Sequence, residues 1–179
     1  MNTFYNDRFS INRNNSTITG FFTMNSGRII YRDKIDTVMG VKHPGIILGV
    51  SSNGKELVIH NHYKIGHAEI VTLDEFTAGS NYFFDCRKVF YNTRQIVERA
   101  IESWKERRPY TWLTNNCQQY VNRVVSNVNF SEAVDNGSNR AVLIGGAISI
   151  AGMITGNGTV IKAGFSIAGL GIVGKLLNT

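Results

Sequence analysis

Cys117, His43 and His60 are the residues of this 179-residue chain whose types and placement can do covalent chemistry. A thiolate is a nucleophile, and an imidazole is the side chain that takes or returns its proton near neutral pH. Cys117 follows Thr114, Asn115 and Asn116, three residues suited to capping a helix. Cys117, Val121, Val124 and Val125 then recur at the spacing of one helical face. The spacing predicts a helix with the thiol in its first turn, where the positive end of the dipole favours thiolate. Amides at such a helix start can also hold an oxyanion. The alternative is a small apolar packing residue, a common use of a buried cysteine.

The elements that must position these groups can be read around them. Arg28–Arg32, Val41–Val50 and Glu56–Asn61 are expected strands, and Ser51-Ser52-Asn53-Gly54-Lys55 supplies a turn between the last two. That hairpin puts His43 near the start of one strand and His60 near the end of its partner, and antiparallel pairing brings those ends together. Ala68–Thr72 is an expected short strand, and Leu73–Gly79 a one-turn helix closed by glycine. Asn81–Phe90 is aromatic and extended, and is expected to be a central or near-central strand with Cys86 as a packing residue. Ile96, Val97, Ala100, Ile101 and Trp104 mark an amphipathic helix capped by Asn92 or Thr93 and stopped by Pro109.

Composition bounds the reading. The chain is 42% hydrophobic and 18% charged, which makes a folded domain rather than a disordered segment. A net charge of +6 suits an anionic membrane surface. A nucleic-acid partner is not expected, because no basic stripe interleaved with aromatics occurs. Two cysteines in this length suggest a reducing compartment, and the N-terminus carries no apolar run of a secretory signal, so a cytoplasmic location is expected. Residues 1–26 read as a polar N-terminal arm, 27–130 as the domain, and 131–139 as a linker. Residues 140–179 form a glycine-rich hydrophobic tail holding nine of the 18 glycines. Small residues recur four apart there, as in Gly145 with Ser149 and Gly164 with Ala168, a spacing that lets helix backbones approach closely in lipid. A helical hairpin that dips into a bilayer, a single span, and a soluble hairpin packed on the domain or on a second copy all fit that pattern. Membrane association is expected, since an exposed segment of this kind would be a large apolar patch.

Taken in order, these residues resemble the lecithin retinol acyltransferase-like family, whose fold is a circular permutation of the papain-like cysteine protease fold. The resemblance runs from about Gly27 to Val125. It rests on His43-Pro44-Gly45-Ile46-Ile47-Leu48-Gly49, Val58-Ile59-His60, Leu73-Asp74-Glu75-Phe76-Thr77-Ala78-Gly79 and Leu113-Thr114-Asn115-Asn116-Cys117. The chain departs from the family pattern at Pro44, where an aromatic residue is usual, and at Gln118-Gln119, where Glu-His is usual. The hairpin loop is also longer, so His62 competes with His60 for one role.

The resemblance implies an α+β fold with a small antiparallel sheet packed on helices, followed here by the helical hairpin. It implies Cys117 as nucleophile, His43 as general base and His60 as the group orienting His43. It implies a membrane-surface acyltransferase or phospholipase-type hydrolase that takes an acyl chain from a phospholipid onto cysteine and passes it to an alcohol, an amine or water. The alternatives are a papain-like amidase or peptidase of the same fold, and a non-catalytic membrane-associating module. No phosphate-binding loop, metal-ligand spacing or dinucleotide fingerprint occurs, so no cofactor is expected.

Overall fold

The computed structural model describes residues 7–13, 16–33 and 42–177. The chain is α+β. Among the described residues, seven antiparallel strands, β1 (Arg8–Arg13), β2 (Ser16–Phe21), β3 (Ile29–Arg32), β4 (His43–Ser51), β5 (Glu56–His62), β6 (His67–Thr72) and β7 (Tyr82–Phe84), form one sheet. Five helices accompany it there: α1 (Leu73–Thr77), α2 (Thr93–Lys105), α3 (Cys117–Ser126), α4 (Glu132–Thr155) and α5 (Gly158–Leu176).

Strand β4 is the hub of the sheet. One edge pairs with β5, while the other pairs with β3 along His43–Ile46 and with β2 at Val50 and Ser51. A bulge falls between Ile47 and Gly49, where the ladder with β5 shifts by a residue. Gly49 has φ +147°, and a Cβ there would strike the Phe21 carbonyl oxygen, so only glycine lets β2 and β4 close up at this point.

β4 and β5 are buried on both faces, and the two faces meet different partners. On one face Ile46, Leu48, Leu57 and Ile59 pack with Ile96, Val97, Ala100, Ile101 and Trp104 of α2 and with Tyr120, Val121, Val124 and Val125 of α3. On the other, Ile30, Ile47 and Val58 pack on Phe76 of α1. Successive side chains on a strand point to opposite faces, so parity separates Ile46 and Ile59 from their neighbours Ile47 and Val58.

Three parts of the chain differ from expectation. The N-terminal arm is a folded hairpin where it is described: β1 pairs with β2 along its whole length, and Phe9, Ile11 and Phe22 lie in the main core. Apolar residues two apart give that segment a buried side even in a polar composition. Residues 1–6 lie outside the described residues. The expected linker 131–139 is largely helix, because Ser131 caps α4 through the Val134 amide and Glu132 and Asp135 suit its first turn. The aromatic stretch 81–90 contributes only three residues of strand, at the edge beyond β3, and Cys86 is exposed rather than packed. The chain leaves the sheet there because Asp85 turns back to accept from the Arg87 amide and guanidinium.

The last two helices form an antiparallel hairpin. Val134–Thr155 and Gly158–Leu176 are each long and apolar enough to cross a membrane, and only 22% and 17% of their most apolar windows are buried in the protein.

Candidate functional site

His43 opens β4, and His60 and His62 close β5. Ile46 and Ile59 point toward α2 and α3, so parity sends His43, His60 and His62 to the opposite face. Phe76 forms the floor there, stacked 5.7 Å from the His43 ring and edge-on at 5.2 Å to His60. Gly45 leaves room for this floor: a Cβ there would lie 2.9 Å from the Phe76 ring and 2.7 Å from Val58. Strand β5 carries the turn into β6, whose register sets Glu69 opposite His60.

These groups make a chain of contacts. Nε2 of His43 lies 2.8 Å from Nδ1 of His60, and Nε2 of His60 lies 3.4 Å from the Glu69 carboxylate. Nδ1 of His62 stands 3.2 Å from the same carboxylate oxygen. Burial draws the His60 pKa down to about 3, with the charges of His62 and Arg32 adding to the effect. His60 is therefore neutral at pH 7. A neutral His60 that donates Nε2–H toward Glu69 accepts at Nδ1, which assigns the shared proton to Nε2 of His43. Nδ1 is then the basic nitrogen of His43. His62 is also lowered, chiefly by burial, with Glu69 pulling the other way.

The cysteine arrives by a different route. Asn116 caps α3, its carboxamide oxygen accepting from the Gln118 and Gln119 amides while Gln119 bonds back to the Asn116 amide. Cys117 is therefore the first residue of the helix, and it is buried. Asn61, fully buried between His60 and His62, donates to the Asn115 carbonyl oxygen at 2.6 Å. This bond ties the helix start to the end of β5. The Tyr110 amide donates to Gly66 in the β5–β6 turn, and Tyr110 is in electrostatic contact with Cys117 and Tyr63. Burial, followed by those two neighbours, pushes the Tyr110 phenol up.

The structure thus brings His43 and His60 into direct contact, with His62 close by and 6.0 Å from His43 between ring centres. It brings α3 to the same end of the β4–β5 pair. The apolar side of α3 packs across β4 and β5 on the face opposite Phe76, and Cys117 stands at the helix start that Asn61 ties to the strand ends. Glu69, Phe76, Asn61 and Tyr110 are site residues that sequence reasoning missed. Glu69 had a signal: a tight turn at Tyr63–Gly66 in register pairs position 60 with position 69.

Gln118 and Gln119, which stand where the resembled family has Glu-His, serve the scaffold. Gln119 donates to the Leu113 carbonyl, and Gln118 accepts from Ser131, which also accepts from Asn116. Ser131 is the cap of α4, so the start of α3 and the start of the apolar hairpin share one buried network.

Neither a family model nor a curated protein matches this sequence.

Proposed function

We propose that this protein is a cysteine-dependent acyltransferase or phospholipase-type hydrolase acting on lipid acyl esters at a membrane surface. The observation that carries the reading is the Glu69–His60–His43 chain at the strand ends to which Asn61 ties the start of α3. An imidazole oriented through one nitrogen by a neutral acceptor presents its other nitrogen as base, the arrangement that nucleophile activation requires. The order His, His, Cys along the chain, with the cysteine helix after the sheet, supports reading residues 27–130 as a permuted papain-like domain. The apolar α4–α5 hairpin, sharing Ser131 with the cysteine helix, supports a lipid substrate over a peptide.

In this mechanism the Cys117 thiol passes its proton to Nδ1 of His43. The thiolate attacks the ester carbonyl carbon, and the oxyanion draws its donor from the start of α3. Collapse breaks the carbon–oxygen bond to the glycerol, His43 returns the proton to the leaving alkoxide, and the acyl chain stays on sulfur. An alcohol, an amine or water, deprotonated by His43, then attacks the thioester and regenerates the thiol.

The exposed apolar hairpin favours a second reading, a module that keeps the fold and works through its hairpin alone. Intact mass after incubation with phosphatidylcholine vesicles separates the two. Gain of one acyl chain, absent in Cys117→Ala, is expected for the enzyme. No gain at any time, with vesicles bound, selects the non-catalytic module.

A further inference from the structure

We infer that the α4–α5 hairpin crosses the bilayer as a preformed pair, with its tip at residues 156–158 emerging on the far side. This does not rest on the proposed reaction. Four observations on the two helices carry it.

The first is how the helices hold each other. Gly145 meets Ala168 and Gly164, Gly164 meets Ser149, Gly152 meets Ile161, and Gly171 meets Ser138 and Val142. A Cβ on any of these glycines would come within 3 Å of the opposite helix. The small residues are spent inside the hairpin and leave the large ones outside. The second is where those point. Leu143, Ile154, Leu170 and Leu176 are each 70% or more exposed, and Ile144, Ile150 and Phe165 are more than half exposed. With Met153, Ile172 and Val173, each half exposed or more, they cover the outward sides of both helices and extend well beyond one stripe. A soluble partner covers one face, whereas lipid covers all of them.

The third is the state of the hydroxyls. Ser149 donates to the Gly145 carbonyl, Thr155 to Ala151 and Ser166 to Lys162, each at 2.9 Å. These groups need no water, the condition for a polar side chain within hydrocarbon.

The fourth decides crossing against dipping. Polar side chains gather at both ends: Asp135, Asn139 and Arg140 with Lys175 at the base, Thr155, Asn157 and Thr159 at the tip. Ala141–Thr155 rises about 22 Å and α5 about 28 Å, against a hydrocarbon core of about 30 Å. Lys162 is exposed four residues beyond Gly158, about 6 Å along the axis. A hairpin that stopped at mid-bilayer would strand Lys162 and Asn157 in hydrocarbon. One that crosses lets Lys162 reach the far headgroups. At the base Trp112, 44% exposed, lies beside the groove between Leu113 and Gly171, at the level where aromatic rings anchor to an interface. Trp112 is five residues before Cys117.

The test is site-directed labelling of the full chain. Asn157→Cys and, separately, Asn136→Cys are made in a Cys86→Ser, Cys117→Ser background and synthesised in the presence of sealed phosphatidylcholine–phosphatidylglycerol vesicles. A membrane-impermeant maleimide is supplied either outside or trapped in the lumen. Crossing predicts that position 157 reacts only with the lumenal probe and position 136 only with the external one. Reaction of both positions with the external probe means the hairpin lies on the surface and overturns the inference. Position 157 reacting with neither probe until detergent is added means a dip to mid-bilayer, and also overturns it. Failure to float with the vesicles, with self-association in solution, would show a second copy as the true cover. Gly164→Leu, which forces Ser149 away, is expected to abolish the lumenal labelling.

Discussion

His43 and His60 meet ring to ring, Nε2 to Nδ1 at 2.8 Å, with their planes perpendicular. This contact couples the first residue of β4 to the fifth of β5 and leaves Nδ1 of His43 outside the pair, the nitrogen the proposed mechanism uses as base. Loss of the acceptor in His60→Ala should lower kcat about 100-fold with little change in KM, the size expected when a general base loses its orientation. His60→Asn, which keeps a short polar acceptor, should recover part of that loss. Steady-state kinetics on the three proteins checks this. Equal activity in all three would remove His60 from the mechanism.

The depressed His60 pKa makes stability depend on pH. The unfolded chain takes up a proton at this ring near 6.5, while the folded protein refuses it until about 3. The unfolded state therefore binds more protons throughout that window, and stability falls as pH drops from about 6.5 toward about 3, by up to about 1.4 kcal/mol per pH unit. His62 acts in the same direction. Thermal melts at pH 7 and pH 4.5 should show the fall, and a smaller one in His60→Asn.

Asn61 is the tie between the strand ends and the cysteine helix. In Asn61→Asp the donor to the Asn115 carbonyl becomes a buried carboxylate facing an oxygen. The expected cost is about 1–3 kcal/mol, more if the acid ionises. Urea unfolding measures the cost, and faster iodoacetamide modification of Cys117 would report loosening at the helix start.

Gly45 should tolerate no side chain. The added methyl of Gly45→Ala would press on Val58 and on the Phe76 ring beneath both histidines. Overpacking of this kind costs about 1–3 kcal/mol. Melting temperature and activity should fall together. A variant of unchanged stability would mean that Phe76 yields freely.

Cys117 begins the helix that Asn61 ties to the strand ends carrying both histidines. If His43 serves the thiol, His43→Asn should slow alkylation of Cys117 at pH 7 by about tenfold or more. An unchanged rate would mean that His43 does not activate the thiol and would favour the module that works through its hairpin.

Much of this protein is legible from short-range physics alone. A cap, a periodic face and a turn are decided within four or five residues. The helix starting at Cys117 behind Asn116, the hairpin around Asn53-Gly54 and the paired C-terminal helices follow from neighbours in sequence. The same reasoning places His43 and His60 at adjoining strand ends.

It could not say which way they face. Alternation orients a strand only when one side is polar, and His43-Gly45-Ile47 and Pro44-Ile46-Leu48 are both fit for burial. The choice fell to distant partners: Phe76 fills the space left by Gly45, and the bulky faces of α2 and α3 need Ile46, Leu48 and Ile59. Distant pairing likewise drew β1 and β2 into the core and left Cys86 at an exposed edge. The sequence determined the cysteine, the histidines and the local elements that carry them. Only the tertiary structure decided their faces and neighbours, because packing compares side chains that the chain separates by tens of residues.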